Sequence, residues 1–528
     1  MPRITVGAGP LTEADVVAVA RLGAGVELAA SAQAVIARSR AIVEALAGDA
    51  EPHYGISTGF GALAMKHIPL ERRALLQRSL IRSHAAGSGP EVEREVVRAM
   101  MLLRLATLAT GHTGVRPQTA AALAGLLNAG LTPVVREFGS LGCSGDLAPL
   151  AHVALALLGE GTIRTSGGTA LPAADALAGH GLAPVDLAEK EGLALINGTD
   201  GMLGQLLLAC ADLDLLLRTA DLSAAMSVEA MLGTARVFGA DLQALRPQPG
   251  QAVAAANMTA LLAGSPIVAS HAGPDCVYVQ DAYSMRCAPQ VAGAARDTLA
   301  HARTVAGHEL AAAVDNPVVL LDDLDDVDDV DGSVGAGEQV QSNGNFHGAP
   351  VAYVLDFLAI PAADVASISE RRTDRMLDAT RSRGLPPFLA DDPGVDSGHM
   401  IAQYTQAALV SELKRLAAPA SVDSIPSSAM QEDHVSMGWS AARKLRRSVD
   451  ALTRVLAIEL LTAARALELR APIAPGPATG AVVAALRETV PGPGPDRHLS
   501  PEIEAAVEFV RSGAAVAAAD ATLPAPLR

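Results

Sequence analysis

The chain has 528 residues, several times the usual domain length, so it can bury a large core and build a cleft from distant segments, which argues against a small binding module. Half of its residues are hydrophobic but only 2% are aromatic, a balance that favours long, close-packed helices over a twisted sheet. The formal charge of −17 would repel a phosphate backbone or an anionic membrane, so neither nucleic acid nor a membrane is an expected partner.

Neither the start of the chain nor its cysteines indicate export. Residues 1–10 hold no apolar run after Arg3, and the most apolar later stretch, 351–366, is interrupted by Asp356 and Pro361. The four cysteines form no CxxC pair and are too few for a disulfide scaffold, which suits a reducing compartment. We therefore expect a cytoplasmic protein.

Six stretches of the chain carry apolar residues at every third or fourth position, which predicts amphipathic helices. In chain order they are 31–47, 90–110, 202–217, 291–314, 399–416 and 445–467. The last continues without a break to Pro472 and predicts a helix of about seven turns. Strands should be few and short. The predicted fold is mainly all-α, a long-helix bundle with a smaller, loop-rich N-terminal part.

Two segments are predicted to be loops. Residues 138–147 are rich in glycine and polar residues, and 321–345 combine an acidic tract with further glycines. The tract places seven aspartates between Asp322 and Asp331, but it lacks the Gly and the closing Glu of an EF-hand loop, so it predicts a solvated surface insertion rather than a calcium site.

The predicted organisation has three parts that form one interlocked unit. Residues 1–200 hold the glycine-rich loop, 201–475 form the central long-helix bundle, and 476–528 form a C-terminal cap. The cap follows from the Pro/Gly-rich segment 472–495, since such segments separate elements of regular structure.

The loop that carries the chemistry reads Gly-Ser-Leu-Gly-Cys-Ser-Gly-Asp-Leu-Ala-Pro-Leu over residues 139–150. Its glycines permit tight turns that could bring the amide nitrogen of Gly145 onto the carbonyl carbon of Cys143. If that ring closes and two waters leave, one of them carrying the hydroxyl of Ser144, the product is a methylidene-imidazolone with an exposed electrophilic CH2. Cys143 contributes only its backbone. On spacing alone, such a loop would more often be a structural turn.

This loop resembles the signature of the histidine, phenylalanine and tyrosine ammonia-lyase family, whose members form the ring from Ala-Ser-Gly. Cys143 replaces the alanine here and leaves the cyclising atoms in place. Six further motifs occur in the family's order: His-Tyr-Gly-Ile-Ser-Thr-Gly-Phe-Gly at 53–61, Ser-His-Ala-Ala-Gly at 83–87, Ala-Leu-Ile-Asn-Gly-Thr at 194–199, Gln-Asp-Ala-Tyr-Ser-Met-Arg at 280–286, Gly-Asn-Phe-His-Gly at 344–348 and Gln-Glu-Asp-His-Val-Ser at 431–436.

The resemblance implies an internal prosthetic group and a shared assembly. The group would be a 4-methylidene-imidazol-5-one formed from Cys143, Ser144 and Gly145, with no external cofactor and no metal. The family's members are homotetramers whose active sites combine loops from more than one subunit, and the resemblance implies the same here. His347 and His434 lie inside matching motifs without metal-ligand spacing, so we expect them to be structural.

The resemblance also implies roles for single residues in catalysis. Ser144 supplies the electrophilic carbon, and Tyr54 matches the base that removes the β-proton. Neighbouring cations or donors would have to lower the pKa of that phenol for it to act near neutrality. Tyr283 resembles a second phenol near the prosthetic group.

The remaining predicted site residues bind the substrate. Arg286 would bind its carboxylate through a bidentate guanidinium, and His84 with Glu432 would receive its side chain. Asn197 and Gln280 resemble the amides that hold the substrate and the ring, and Phe346 an apolar wall.

Together these matches imply the non-oxidative elimination of ammonia from L-histidine, giving trans-urocanate in the first step of histidine degradation. A lyase or aminomutase acting on tyrosine or phenylalanine is the nearest alternative, since scaffold and electrophile would be the same. A non-catalytic helical assembly protein is an alternative of another class. A fumarase-type helical lyase is a third, but its Gly-Ser-Ser-x-Met-Pro loop is not found.

Overall fold

A computed structural model gives the fold of the chain and describes residues 3–49, 51–273, 276, 279–321 and 339–528. The fold is mainly α, which confirms the fold class predicted from the sequence. The predicted surface insertion at Asp322–Asp331 lies outside the described residues.

The helices and strands of the described residues are numbered in chain order. The first ten helices are α1 (Glu13–Ala20), α2 (Ala30–Ala47), α3 (Arg73–His84), α4 (Arg94–Ala109), α5 (Pro117–Asn128), α6 (Leu147–Leu157), α7 (Ala173–Gly179), α8 (Glu191–Ala194), α9 (Asp200–Ala230) and α10 (Ala240–Ala244). The others are α11 (Pro249–Leu262), α12 (Pro266–Ala269), α13 (Tyr283–Arg286), α14 (Ala288–Leu310), α15 (Ala349–Leu377), α16 (Met400–Leu416), α17 (Gly438–Glu468), α18 (Pro477–Leu486), α19 (Ser500–Arg511) and α20 (Ala514–Asp520).

The strands have two to four residues each. They are β1 (Ile4–Val6), β2 (Val26–Leu28), β3 (Ser88–Glu91), β4 (Thr132–Pro133), β5 (Arg136–Phe138), β6 (Thr162–Arg164), β7 (Ala170–Pro172), β8 (Val318–Val319) and β9 (Val340–Gln341). β1 and β2 pair in parallel, whereas β3–β5, β4–β6–β7 and β8–β9 are antiparallel.

The six stretches with helical periodicity lie in α2, α4, α9, α14, α16 and α17. The prediction for α4 starts too early, because residues 90 and 91 belong to β3. The prediction for α9 ends too early, since the helix continues to Ala230. Helix α15 was not among the predicted helices, and Pro361 lies within it. By length and composition α15 could cross a membrane, but 56% of its apolar window is buried, as in the core helix of a soluble protein.

The chain forms two compact units. Unit 1 comprises Met1–Leu208, Arg303–Leu355 and Ala420–Arg443, and unit 2 comprises Ala209–Ala302, Asp356–Pro419 and Lys444–Arg528. Long helices such as α9 and α17 contribute residues to both units. The three-part division expected from the sequence stays a prediction.

In unit 1, the buried helix α4 positions the segment 194–200. α4 is buried along most of its length and packs against α1 and α5. The guanidinium of Arg104, 1% exposed, donates to the carbonyl oxygens of Ala194 and Asn197 and pairs with Asp200 at 2.9 Å. Because a buried charge is stable only when it is paired and hydrogen-bonded, Arg104 fixes this segment to the core.

In unit 2, a buried carboxylate joins three helices. Glu459 of α17 pairs with Arg372 of α15 at 2.5 Å and accepts hydrogen bonds from Ser223 and Ser227 of α9. Each of these four side chains is buried. The polar residues that interrupt the apolar pattern in the second half of α9 are therefore core residues with partners.

Candidate active site

The ring-forming loop faces a cavity in unit 1. The cavity has a volume of about 580 Å³, within the range of small-molecule sites. It is lined by five of the residues predicted from the sequence: Tyr54, Cys143, Ser144, Phe346 and Glu432. These residues come from distant parts of the chain, so the fold brings several of the matching motifs together at one place.

The backbone of the loop allows only glycine at position 145. Gly145 has a φ of +76°, and a Cβ at this position would lie 2.1 Å from the carbonyl oxygen of Gly198. The next amide, of Asp146, donates to that same oxygen at 2.7 Å. Any side chain would therefore break the contact that holds the loop against the segment before α9.

A second glycine fixes the other end of the loop. Gly142 has a φ of +68°, and a Cβ there would lie 2.1 Å from the hydroxyl of Ser436. That hydroxyl donates to the Gly142 carbonyl oxygen at 3.1 Å, and the amide of Met437 donates to Leu141 at 2.9 Å. The residues between the two glycines, Cys143 and Ser144, are thus held in a turn between two anchored positions.

Asp146 is a residue of the site that the sequence reasoning missed. Its buried carboxylate accepts hydrogen bonds from the Ser140 hydroxyl at 3.0 Å and from the Met202 amide at 2.8 Å. Burial raises the pKa of this carboxyl group to about 7. Asp146 ties the ring-forming loop to the first turn of α9. Its place inside the 139–150 motif was the only signal for it in the sequence.

The residues present fit a ring made from Cys143, Ser144 and Gly145. Gly145 has the bare backbone that cyclisation needs, and Ser144 lies on the cavity wall, where its β-carbon would be accessible. Asn197 is 2% exposed, and its Oδ1 has no hydrogen-bond partner among the described residues. A buried acceptor without a partner is costly, so this oxygen needs a donor that the described residues do not supply.

Glu432 lies beside the side chains of Cys143 and Ser144. Its Oε2 accepts a hydrogen bond from Ser427 at 2.8 Å, and its Oε1 lies 3.5 Å from the Ser144 hydroxyl. Burial, together with the charge of Glu432, raises the pKa of the Cys143 thiol to about 12. Cys143 is therefore a neutral thiol at physiological pH, not a nucleophile.

The surroundings of Tyr54 raise the pKa of its phenol, whereas we expected from the sequence that they would lower it. Burial raises the pKa of its phenol, and the charges of Glu432 and Asp315 raise it further. The amide of Gly61 donates to the phenol oxygen at 3.4 Å and acts in the opposite direction, but it does not reverse the shift. The expected net lowering by neighbouring groups is wrong for the described residues. A reaction that needs the phenolate should therefore lose rate as the pH falls.

His84, at the end of α3, is held by a hydrogen bond to its own helix. Its Nδ1 lies 2.9 Å from the carbonyl oxygen of Leu80, so Nδ1 carries the proton and Nε2 is an acceptor in the neutral ring. Burial lowers the pKa of His84, while the charge of Glu432 acts to raise it. His84 and Glu432 thus interact, although His84 is not among the residues that line the cavity.

The remaining three predicted residues, Gln280, Tyr283 and Arg286, form a cluster in unit 2. The Arg286 guanidinium lies over the Tyr283 ring, 4.6 Å from its centroid, and donates to Oε1 of Gln280 at 3.2 Å. The Tyr283 side chain is 71% exposed. The structure brings these three residues together with one another, and they are not among the residues lining the cavity of unit 1.

Several cavity residues were missed or given no active role by the sequence reasoning. His347 and His434, expected to be structural, line the cavity as stacked rings with centroids 5.7 Å apart. Asn316, Ser342 and Asn343 also line it. Among the described residues, no group of three His, Cys, Asp or Glu side chains is arranged to hold a metal ion.

Comparison with known proteins places the chain among enzymes of one family. The model of the family described as "Aromatic amino acid lyase" matches residues 11–488. A protein of Streptomyces avermitilis named histidine ammonia-lyase is 63% identical over 528 residues, covering 100% of both chains. The crystal structure of histidine ammonia-lyase from Trypanosoma cruzi has a TM-score of 0.88 at 37% identity, covering 99% of this chain and 96% of the other. Tyrosine aminomutase from Streptomyces globisporus has a TM-score of 0.91 at 37% identity, covering 100% of both chains.

Proposed function

Because this chain belongs to the aromatic amino acid lyase family and is a carbon–nitrogen lyase, we propose that it removes ammonia from L-histidine without oxidation and releases trans-urocanate. This would be the first step of histidine degradation, carried out in the cytoplasm. The observation that carries the proposal is the 63% identity, over the full length of both chains, to a protein named histidine ammonia-lyase. Family membership argues against the non-catalytic and fumarase-type alternatives.

The proposed prosthetic group is a 4-methylidene-imidazol-5-one formed from Cys143, Ser144 and Gly145. The chemistry it supplies is an electrophilic carbon that captures the substrate covalently and makes its amine a better leaving group. The anchored turn between Gly142 and Gly145 supports this assignment, because cyclisation needs the Gly145 nitrogen close to the Cys143 carbonyl carbon.

The residues of the cavity, together with Asn197 and His84, which do not line it, have complementary roles in this proposal. Tyr54 takes the proton from the substrate β-carbon, and the unpaired Oδ1 of Asn197 accepts a hydrogen bond from the substrate amine. Glu432 and His84 hold the imidazole, and Phe346 forms an apolar wall. An imidazole needs polar partners for both of its nitrogens, which a carboxylate and a second imidazole provide.

We propose that the active protein is a homotetramer with active sites shared between subunits. The cluster of Gln280, Tyr283 and Arg286 supports this, because an exposed tyrosine under a guanidinium is suited to contact a neighbouring copy. Arg286 would bind the substrate carboxylate there, with Gln280 holding the substrate or the ring and Tyr283 as the second phenol.

The experiment that tests the proposal is a product assay with three amino acids. The protein is incubated separately with L-histidine, L-tyrosine and L-phenylalanine, and ammonia and the near-ultraviolet absorbance of the unsaturated acid are followed. Preferential release of urocanate from histidine is expected. A preference for tyrosine or phenylalanine, or formation of a β-amino acid without ammonia, would instead support the aromatic lyase or aminomutase alternative suggested by the structure from S. globisporus.

Replacing Cys143 by alanine should leave substantial activity on histidine. The Cys143 thiol is not one of the ring atoms, and it stays protonated. The family's usual triplet has alanine at this position. Steady-state kinetics on histidine and the intact mass of the variant check this expectation. A correctly folded Cys143→Ala protein that is fully inactive would show that the thiol itself takes part in the reaction or in ring formation.

A further inference from the structure

A buried ion pair lies in unit 1, and none of the assigned roles uses it. Lys190 and Asp315 are both 0% exposed, and the Lys190 ammonium lies 2.5 Å from Oδ2 of Asp315. Lys190 also has a φ of +70°, a left-handed conformation that is unfavourable for a non-glycine residue. Because burying two charges costs free energy, we expect the pair to have a role in the protein.

The ion pair holds Asn316, which is hydrogen-bonded to several parts of the site. Oδ1 of Asp315 accepts a hydrogen bond from the Asn316 amide at 2.8 Å. The Asn316 carbonyl oxygen accepts from the side-chain amide of Asn197 at 3.1 Å. Oδ1 of Asn316 accepts from the Ser342 hydroxyl at 3.0 Å and from the Asn343 amide at 2.9 Å. Asn197 and the wall at 342–343 are thus both attached to Asn316, which is held in turn by Asp315.

The pair also contributes to the field at Tyr54. The negative charges acting on the Tyr54 phenol are those of Glu432 and Asp315. Lys190 is the counter-charge of Asp315, and the charge of Arg104 acts on Lys190. The other titratable groups that line the same cavity are Cys143, His347, Asp433 and His434.

We propose that the Lys190–Asp315 ion pair is a positioning element of the active site, which holds Asn197 and the cavity wall through Asn316 and sets the electrostatic field at Tyr54. The proposal rests on the proposed function, in which Tyr54 is the base. Neither residue of the pair needs to touch the substrate. Their effect should therefore appear in the rate of the chemical step and in its pH dependence more than in substrate affinity.

The test compares Asp315→Asn and the double variant Lys190→Met/Asp315→Asn with the parent enzyme. A base acts in its ionised form, so activity is lost as the pH falls through the pKa of Tyr54. Burial is the largest cause of the raised Tyr54 pKa and the charge of Asp315 adds to it, so Asp315→Asn should move the acidic limb of the kcat/KM profile to lower pH. The double variant should show the same displacement of the limb, because Lys190 is not among the groups that act on the Tyr54 phenol.

The double variant should also show weaker positioning. Without the pair, Asn316 is held less firmly, and kcat at the plateau should fall roughly tenfold or more while KM changes less. Ring content, measured by intact mass and near-ultraviolet absorbance, should equal that of the parent. If the pair is only structural, its removal would lower the amount of folded protein or the plateau rate, and the acidic limb would stay at the pH found for the parent.

Glu191→Gln is the matched control. Glu191 is the next residue after Lys190, is equally buried, and pairs with Arg116 at 2.6 Å, away from the Asn316 segment. Its neutralisation should leave the acidic limb unchanged. The proposal is wrong if Asp315→Asn keeps the limb of the parent, or if Glu191→Gln moves it equally. Should Asp315→Asn fold poorly because it leaves the buried Lys190 without its partner, the double variant, which removes both charges, decides alone.

Failure of the proposed function would look different. A parent enzyme inactive on all three amino acids would contradict the assigned reaction. A Tyr54→Phe variant that keeps both its activity and the acidic limb would contradict the assignment of the base. An inactive Tyr54→Phe variant together with an unmoved limb in Asp315→Asn contradicts only the role of the ion pair.

Discussion

Replacing Ser144 by alanine should lower the rate of ammonia release from L-histidine by several orders of magnitude in a normally folded protein. The departing hydroxyl of Ser144 creates the electrophilic carbon, and alanine has no hydroxyl to lose. Covalent capture of the amine is then impossible, and the remaining binding groups cannot replace it.

Intact mass and kinetics together test this prediction. The parent should be lighter than its sequence mass by two water molecules, whereas Ser144→Ala should not show that loss. Circular dichroism should show the same helix content in both proteins. Cys143→Ala is the matched control, since it alters the neighbouring side chain and leaves the departing hydroxyl in place. Turnover near that of the parent in a folded Ser144→Ala protein would contradict the ring hypothesis.

The helices show which part of the fold the sequence could predict. The stretch 399–416 predicts α16 almost to the residue, because its buried residues recur every three or four positions and all but Gln406 are apolar. The second half of α9 is missed because polar residues from Arg218 onward, among them Ser223 and Ser227, interrupt that pattern. The structure shows that both serines donate to the buried Glu459. Periodicity detects apolar burial. It does not detect polar residues that become buried only through a partner far away in the chain.

The same limit applies to the site. Residues inside recognisable motifs, such as Tyr54 and Glu432, could be named from the sequence, and the structure shows both on the cavity wall. Lys190 and Asp315 could not, because they are 125 positions apart and no spacing joins them. The direction of the Tyr54 pKa shift also depends on burial and on the charges that folding places around it. These are tertiary properties, so residue type alone could not supply them.

Replacing His84 by leucine and Glu432 by alanine should reduce activity on histidine far more than activity on phenylalanine. An unpaired buried polar group costs about 1–3 kcal/mol, whereas a lost apolar contact can be partly repacked. In the parent enzyme a phenyl ring would offer no partner to Nε2 of His84 or to Oε1 of Glu432, the atoms left over by the bonds to Leu80 and Ser427, so phenylalanine should be a poor substrate. In the double variant an imidazole would lose both of its partners, while a phenyl ring would lose none. The preference for histidine should therefore shrink by roughly tenfold or more per residue removed.

The measurement is kcat/KM for the parent, the two single variants and the double variant on histidine, tyrosine and phenylalanine. His180→Leu is a suitable control, because His180 also bonds a carbonyl oxygen four residues earlier, that of Ala176 at 2.8 Å, but does not line the cavity. It should leave all three values unchanged. If the parent prefers tyrosine or phenylalanine, or if the double variant loses activity equally on all three, His84 and Glu432 do not recognise the imidazole. The assignment of histidine as the substrate would then have to be replaced by an aromatic amino acid.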